Sequence, residues 1–419
     1  MKGAKVVLAL AAVLALFQAS CSDSTGPGDQ ANDRISIVNN ANALRTAVTY
    51  YLDSLVPVEG TGVGYSRAPG PSFSRAGAGQ AAGRAFQLKL VAEVAPPQIS
   101  GQTLQATSVV ILGSRAVVSY NMRGAQYLGA IDVFDISKEK DPVLRSRALF
   151  QDADVNAVST DGVSIFAAEA TGDPSFELPA AFELVSLSGS NLVLSGNLRF
   201  PLSSFAGTST AMAGNRVYAT SGDAGSLFAY DVPSYTLQTI SLEDARWVDV
   251  GDGKVVVVQG TPGRLAVFNE SNLSPVGTFP FTGADIPESK STVQLVGGKA
   301  FIAAGSGGVQ VLNAANGSVV GSVPRPDPAS LGLDPSVVVT NAASVDKDLV
   351  FISNGEAGVY VAEGSQDFST SGTGAQQITM LGKLQFGSLQ SVNHVAYRSD
   401  HLFIAAGLGG LKIVKVTGN

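Results

Sequence analysis

From Leu104 to the end of the chain, short apolar runs alternate with polar turns that carry glycine, and positions inside the runs alternate with the two-residue period of a strand. One run recurs as Ala116-Val-Val-Ser, Ile165-Phe-Ala-Ala, Val217-Tyr-Ala-Thr, Val255-Val-Val-Val, Ala300-Phe-Ile-Ala, Val350-Phe-Ile-Ser and Leu402-Phe-Ile-Ala. Its second residue returns at 117, 166, 218, 256, 301, 351 and 403, about every 48 residues. That interval lies within the range of four-stranded propeller blades. A later run repeats as Gly129–Asp135, Gly225–Asp231, Gly263–Asn269, Gly307–Asn313, Gly358–Glu363 and Gly409–Lys415, with Ala181–Ser186 standing in for the second copy without its glycine. A fourth short run follows, as in Tyr235–Leu242, Pro275–Phe281, Ser318–Val323 and Met380–Phe386.

The seventh copy ends at Asn419 before a fourth run, while a run without a repeat of its own, Phe86–Val94, precedes the first copy. Placing Phe86–Val94 in the seventh blade joins the two ends and removes an open sheet edge. The prediction is an all-β, seven-bladed propeller over residues 86–419, its last blade closed by an N-terminal strand. A six-bladed ring would require one marker to be false, and the weakest is Phe166, whose copy carries an insertion.

Ahead of the ring, Ile35, Val38, Leu44, Val48, Tyr51, Leu52 and Leu55 fall mostly on one helical face, which predicts an amphipathic helix over 33–57 ended by Pro57. Residues 58–85, rich in Gly, Ala, Pro and Ser, read as a flexible linker, and 21–32 as a polar tether. Residues 1–20 combine Lys2 and Lys5 with the apolar run Val6–Phe17 and the small pair Ala19-Ser20. This is a secretory signal, too short to span a bilayer.

Composition agrees with the pattern. The 419 residues hold 47 glycines and only 15% charged side chains, which suits many tight turns between apolar strands better than a helical protein. The net charge of −7, more acidic still without Lys2 and Lys5, argues against a nucleic-acid partner. The single Cys rules out an intramolecular disulfide and a Cys-based zinc site.

Two resemblances follow from these residues. The N-terminus, with Cys21 directly after Ala19-Ser20, resembles a bacterial lipoprotein signal, although Gln18 stands where a leucine is usual. That likeness implies lipidation of Cys21 and a membrane anchor, and Ser22 in place of an aspartate implies the outer membrane. An ordinary signal peptide followed by a free thiol is the alternative. The unit Ser391–Val414, with its His394-Val, Leu402-Phe-Ile, Gly407-Leu-Gly-Gly-Leu and Lys412-Ile-Val elements, resembles the LVIVD repeat of secreted and lipid-anchored bacterial proteins. The resemblance implies a propeller and names no activity. This chain keeps the repeat histidine only at His394 and the closing aspartate only at Asp135 and Asp231.

Catalytic constellations are sparse. The repeated glycines begin no helix and so read as turn residues rather than a phosphate loop. Asp152-Ala-Asp-Val-Asn156 copies the start of a calcium loop without its Gly or distal Glu. The two histidines are too few for a three-His zinc site, and one tryptophan cannot supply repeated docking motifs; no cofactor is expected. The face formed by the loops between second and third strands, and by the blade-to-blade connections, is where propellers place ligands. Candidate binding residues there are Arg123, Tyr127, Glu169, Asp173, Phe176, Asp223, Trp247, Asn354, Glu356 and His394, with long loops at 120–128, 168–180 and 324–337. The leading expectation is a non-catalytic envelope lipoprotein that binds a protein or glycan through this face. The alternatives are an envelope carbohydrate-active hydrolase or lyase using Asp173, Asp223, Asp285 or Glu356, and a structural spacer.

Overall fold

The alternating runs of the first six repeats each form four antiparallel strands paired in chain order, the seventh repeat supplies three, and the seven sheets stand in a ring. The computed structural model describes residues 27–56 and 86–418, apart from 139–140, 233, 235, 288 and 388–389. The expected signal, Cys21 and the 58–85 linker lie outside the described residues. The first strands of the blades, Gln105–Leu112, Ala153–Thr160, Gly207–Ala213, Ala245–Gly251, Val293–Val296, Ala342–Asp346 and His394–Arg398, are innermost. Each packs against the next, and the seventh against the first. Among the described residues the helices are Ala41–Arg45 and Pro328–Leu331, and no helix is long and apolar enough to cross a membrane.

The ring closes as the missing fourth run requires. Leu411–Gly418, the third strand of blade 7, pairs antiparallel with Phe86–Val94, from Leu411 opposite Val94 to Gly418 opposite Phe86. The loop before this strand depends on Gly410, at φ +69°, where a Cβ would stand 2.0 Å from the Val94 carbonyl oxygen. Only glycine combines a left-handed backbone with so close an approach. The core consists of apolar layers between neighbouring blades, such as Val117, Ile131 and Val133 of blade 1 against Val155, Ile165 and Val185 of blade 2.

The amphipathic helix expected over 33–57 is corrected. Ile35–Val38 is a strand on the outer edge of blade 1, paired with Arg147–Phe150; Val48–Val56 is a fifth strand on blade 7, paired with Leu88–Val94. Only Ala41–Arg45 between them is helical, capped by Asn40, whose side chain accepts from the amides of Asn42 and Ala43. The sequence Ile-Ser-Ile-Val also satisfies strand alternation, and Ile35 and Ile37 are both buried in the sheet. Two free sheet edges offer this segment a full set of backbone partners, which outweighs its weak helical periodicity. Part of the expected tether is also bound: Gln30–Ala31 pairs with Ser36–Ile37, and Gln30 Oε1 accepts from the Leu194 amide at 2.9 Å.

The segment therefore straps across the seam where the ring closes. Leu44 and Val48 are buried there with Val91 and Ile413 of blade 7 and Ala116 and Phe134 of blade 1. Leu44→Ala should lower the unfolding free energy by about 2–5 kcal/mol, as expected for a cavity at a buried leucine, read as a shift in the denaturant midpoint.

Candidate functional site

A ring of hydrogen bonds joins the innermost strands and shapes the channel. Asn393 Nδ2 donates to Ala106 O at 2.8 Å, Thr107 Oγ1 to Val155 O at 3.0 Å, Asn156 Nδ2 to Gly207 O at 2.9 Å and Thr208 Oγ1 to Ala245 O at 2.8 Å. Arg246 Nη1 continues it to Ile286 O at 2.9 Å, the Thr292 amide to Asn341 O at 3.1 Å, and Asn341 Nδ2 to Val392 O at 3.4 Å. The group sits near the start of each inner strand, on the face where the expected binding loops emerge.

Above this ring opens a cavity of about 740 Å³. Its charged lining comprises Asp223, Glu243, Asp244, Arg246, Arg264 and Lys290, together with Asn121, Asn156, Asn341 and Asn393. Arg246 is buried and engaged twice by Asp244, at 3.0 and 2.8 Å. Lys290, from the connection between blades 4 and 5, reaches across to blade 2, where its Nζ donates to Asn156 O at 2.9 Å. Burial lowers its pKa to about 8.

Below the lysine lie two aromatic rings. Lys290 Nζ stands 5.7 Å from the Trp247 ring, and Trp247 stacks on His394 with centroids 5.4 Å apart. His394 Nδ1 is buried without a hydrogen-bond partner. Burial first, and the nearby Lys290 charge second, push the His394 pKa down to about 3, so the imidazole is neutral at physiological pH. Trp247 and His394 line a second chamber of about 420 Å³ toward the opposite face. There Asp249 accepts from the Leu295 amide at 2.7 Å, and burial raises its pKa to about 6.

A second polar assembly sits between blades 1 and 2, away from the channel. Arg199 on the outer strand of blade 2 contacts Asp152 at 2.9 Å, Glu169 at 3.3 Å, Glu183 at 3.5 Å and Asp173 at 3.8 Å. Arg34 of the strap closes it, 2.8 Å from both Asp152 and Glu183, and Phe176 lies 5.1 Å from the Arg199 guanidinium. Glu169 and Glu183 are buried. Burial, then the Glu183 charge, hold the Glu169 carboxyl well above its usual range. Hydrogen bonds from the Ser175 amide and hydroxyl, at 2.9 and 2.8 Å, lower the Asp173 pKa instead.

The predicted residues are thus divided. Asp223 lines the upper cavity, and Trp247 and His394 lie deeper in the channel. Glu169, Asp173 and Phe176 do come together, but around Arg199. Tyr127 packs against Gly172 in a groove beside them, because the loop between second and third strands runs outward over the blade. Arg123 is exposed on that loop. Asn354 serves a turn, its Oδ1 accepting from Thr340 Oγ1 at 2.6 Å, and Glu356 follows in the same turn, its amide donating to Val337 O. Of the four carboxylates considered for hydrolysis, only Asp223 lines the cavity; Asp285 accepts from the Ser306 hydroxyl on an exposed loop. The calcium-like triplet has other partners: Asp152 the two arginines, Asp154 the amides of Met122 and Leu128, and Asn156 the side chain of Asn121. Sequence reasoning missed Lys290, Arg264, Glu243, Arg34, Glu183 and Arg199. The signal for Lys290 was the 281–292 connection, which is longer than a turn requires.

Two outcomes follow. Arg199→Met should cost about 3–5 kcal/mol, because it leaves a cluster of buried carboxyl groups without their cation, read as a shift in the denaturant midpoint. His394 has a folded pKa below that of the unfolded chain, so its contribution to stability is complete above about pH 6.5 and is lost as pH falls toward 3. His394→Gln should flatten that part of the stability profile, and the imidazole resonances of His394 should not titrate between pH 8 and 5.

Comparison with known proteins reaches the fold. No family model matches the chain, and no curated protein matches it. The solved β-propeller domain of Cps50 (Swd1) from Myceliophteria thermophila is 14% identical, with 78% of this chain and 100% of that one covered, at a TM-score of 0.51. BamB from Moraxella catarrhalis is 10% identical over 88% of this chain and 95% of that one, at 0.46. The computationally designed Ika8 protein is 11% identical over 76% and 98%, at 0.44. The Swd1 likeness shows a shared propeller architecture.

Proposed function

We propose that this protein is a non-catalytic scaffold of the cell envelope, anchored through a lipidated Cys21, that binds a protein or glycan partner at the channel mouth of its loop-bearing face. The observation that carries the binding reading is the cavity of about 740 Å³, where charged and amide side chains from several blades converge. Its size falls within the ~300–1,000 Å³ of small-ligand sites, and its walls are fixed by the hydrogen-bonded ring. The anchor reading rests on Lys2, Lys5, the apolar run and the position of Cys21. Kinship with LVIVD-repeat proteins is part of the same proposal and rests on the repeat itself.

Ala206 lines the mouth on a blade connection, so Ala206→Trp should fill it without touching the inner ring. Affinity capture from solubilised envelope should lose the partner at least about tenfold with that variant, whereas shortening the exposed 123–126 loop should leave it. Equal recovery from Ala206→Trp and the native chain would refute the mouth as the binding site. Cys21→Ser should abolish incorporation of labelled fatty acid and release the protein from the membrane fraction.

A further inference from the structure

We propose that the upper cavity is a subsite for an acidic sugar, whose carboxylate is taken by the Lys290 ammonium while neighbouring side chains pair with its hydroxyls. This deepens the mouth-binding reading and rests on it.

The first observation is unused hydrogen-bonding capacity at the cavity wall. An ammonium carries three donors, and Lys290 places one on Asn156 O. Asn121 Oδ1 and Arg264 Nε are buried without a partner, and both residues line the cavity. Buried polar groups are nearly always paired; a donor and an acceptor left over in one cavity suit a ligand that both gives and takes hydrogen bonds, as a hydroxyl does.

The second observation is charge. Asp244 is engaged by Arg246, and Glu243, largely exposed at the rim, lies 4.0 Å from Arg264. Among the described residues no carboxylate forms an ion pair with Lys290, and burial alone sets its pKa. Among the described residues the cavity therefore ends on a cation without a paired carboxylate, held by its bond to the Asn156 carbonyl and its approach to the Trp247 ring. Desolvated charge without a partner is costly, and an incoming carboxylate at that position relieves the cost.

The third observation selects a sugar over a peptide. A peptide bound by its carboxyl terminus would seek apolar pockets for its side chains. The lining here is Thr107, Thr208, Thr261, Ser289, amides and charges, with Ala206 and Pro287 as its apolar side chains.

Titration calorimetry on the whole chain, with trigalacturonate as probe, tests this against its methyl ester and against the peptide acetyl-Ala-Ala. Trigalacturonate should bind, the ester should bind about ten- to a hundredfold more weakly, as expected for loss of one hydrogen bond to a charged group, and the peptide should not compete. Lys290→Met should weaken trigalacturonate by a similar factor. Asp223→Asn, at the exposed rim and outside the folding core, should tighten it about twofold by removing a like charge. In the native chain affinity should fall as pH rises from 7 to 9, through the pKa of Lys290. Equal binding of acid and ester, retention of binding in Lys290→Met, weaker binding in Asp223→Asn, tight binding of the peptide, or no binding of trigalacturonate at millimolar concentration would each overturn the assignment. If Ala206→Trp still abolishes partner capture in that case, the mouth remains the binding site and only the acidic-sugar chemistry falls.

Discussion

Each inner strand gives one polar group to the backbone of the next blade, and the architecture of the channel depends on that repeated bond. Inner strands of a propeller are too short and too splayed to pair as a continuous sheet, so their facing carbonyls would be orphans in the ring's interior. Asn393, Thr107, Asn156, Thr208, Arg246 and Asn341 satisfy those carbonyls one seam at a time. The same bonds fix the distance between blades, and with it the width of the cavity above. Structural and binding roles are consequently merged in these side chains: donors that hold the ring together are committed, and what the cavity offers a ligand is the remainder.

The buried cluster at Arg199 shows a different use of polarity. Six charged groups from the strap and blade 2 meet there, where an apolar layer would also have filled the space. Replacing such a network by hydrophobic residues is often neutral or stabilising, whereas removing one member is not. Its geometric effect is specificity: Arg34 fits only if the strap lies in one register along blade 1, with Ile35 and Ile37 turned into the core. A shift by one residue would reverse every side chain of that strand.

Much of the fold was legible because each blade repeats a two-residue alternation between glycine-bearing turns, and because counting runs exposed the missing fourth strand of blade 7. The strap was misread because four residues, Ile35–Val38, satisfy helix and strand periods alike, and only the free edges of blades 1 and 7 decide between them. At the site, Trp247 and His394 stood out as rare residue types and do lie in the channel. Lys290 was passed over because it sits in an irregular connection with no counterpart in other copies, where the length of the connection was the only cue. Arg199 was invisible because a charge on an outer strand ordinarily faces water. Glu169, Asp173 and Phe176, expected on the same rim as the channel residues, gather instead around Arg199, since periodicity orders strands along the chain and says little about how far from the axis a loop will lean.

The pairing of Phe86–Val94 with Leu411–Gly418 has a consequence for biosynthesis. Blades 2 to 6 are made of neighbouring hairpins that can form as they emerge, but blade 7 needs the first strand of the ring and the last one made. Until synthesis reaches Gly418, Leu88, Val91 and Val94 lack their cover and an apolar edge is open to any other strand. The strap strand Val48–Val56, already made, can occupy the other edge of Phe86–Val94 at once. In a nascent chain it would act as a built-in shield, leaving a single edge free for the last strand to find.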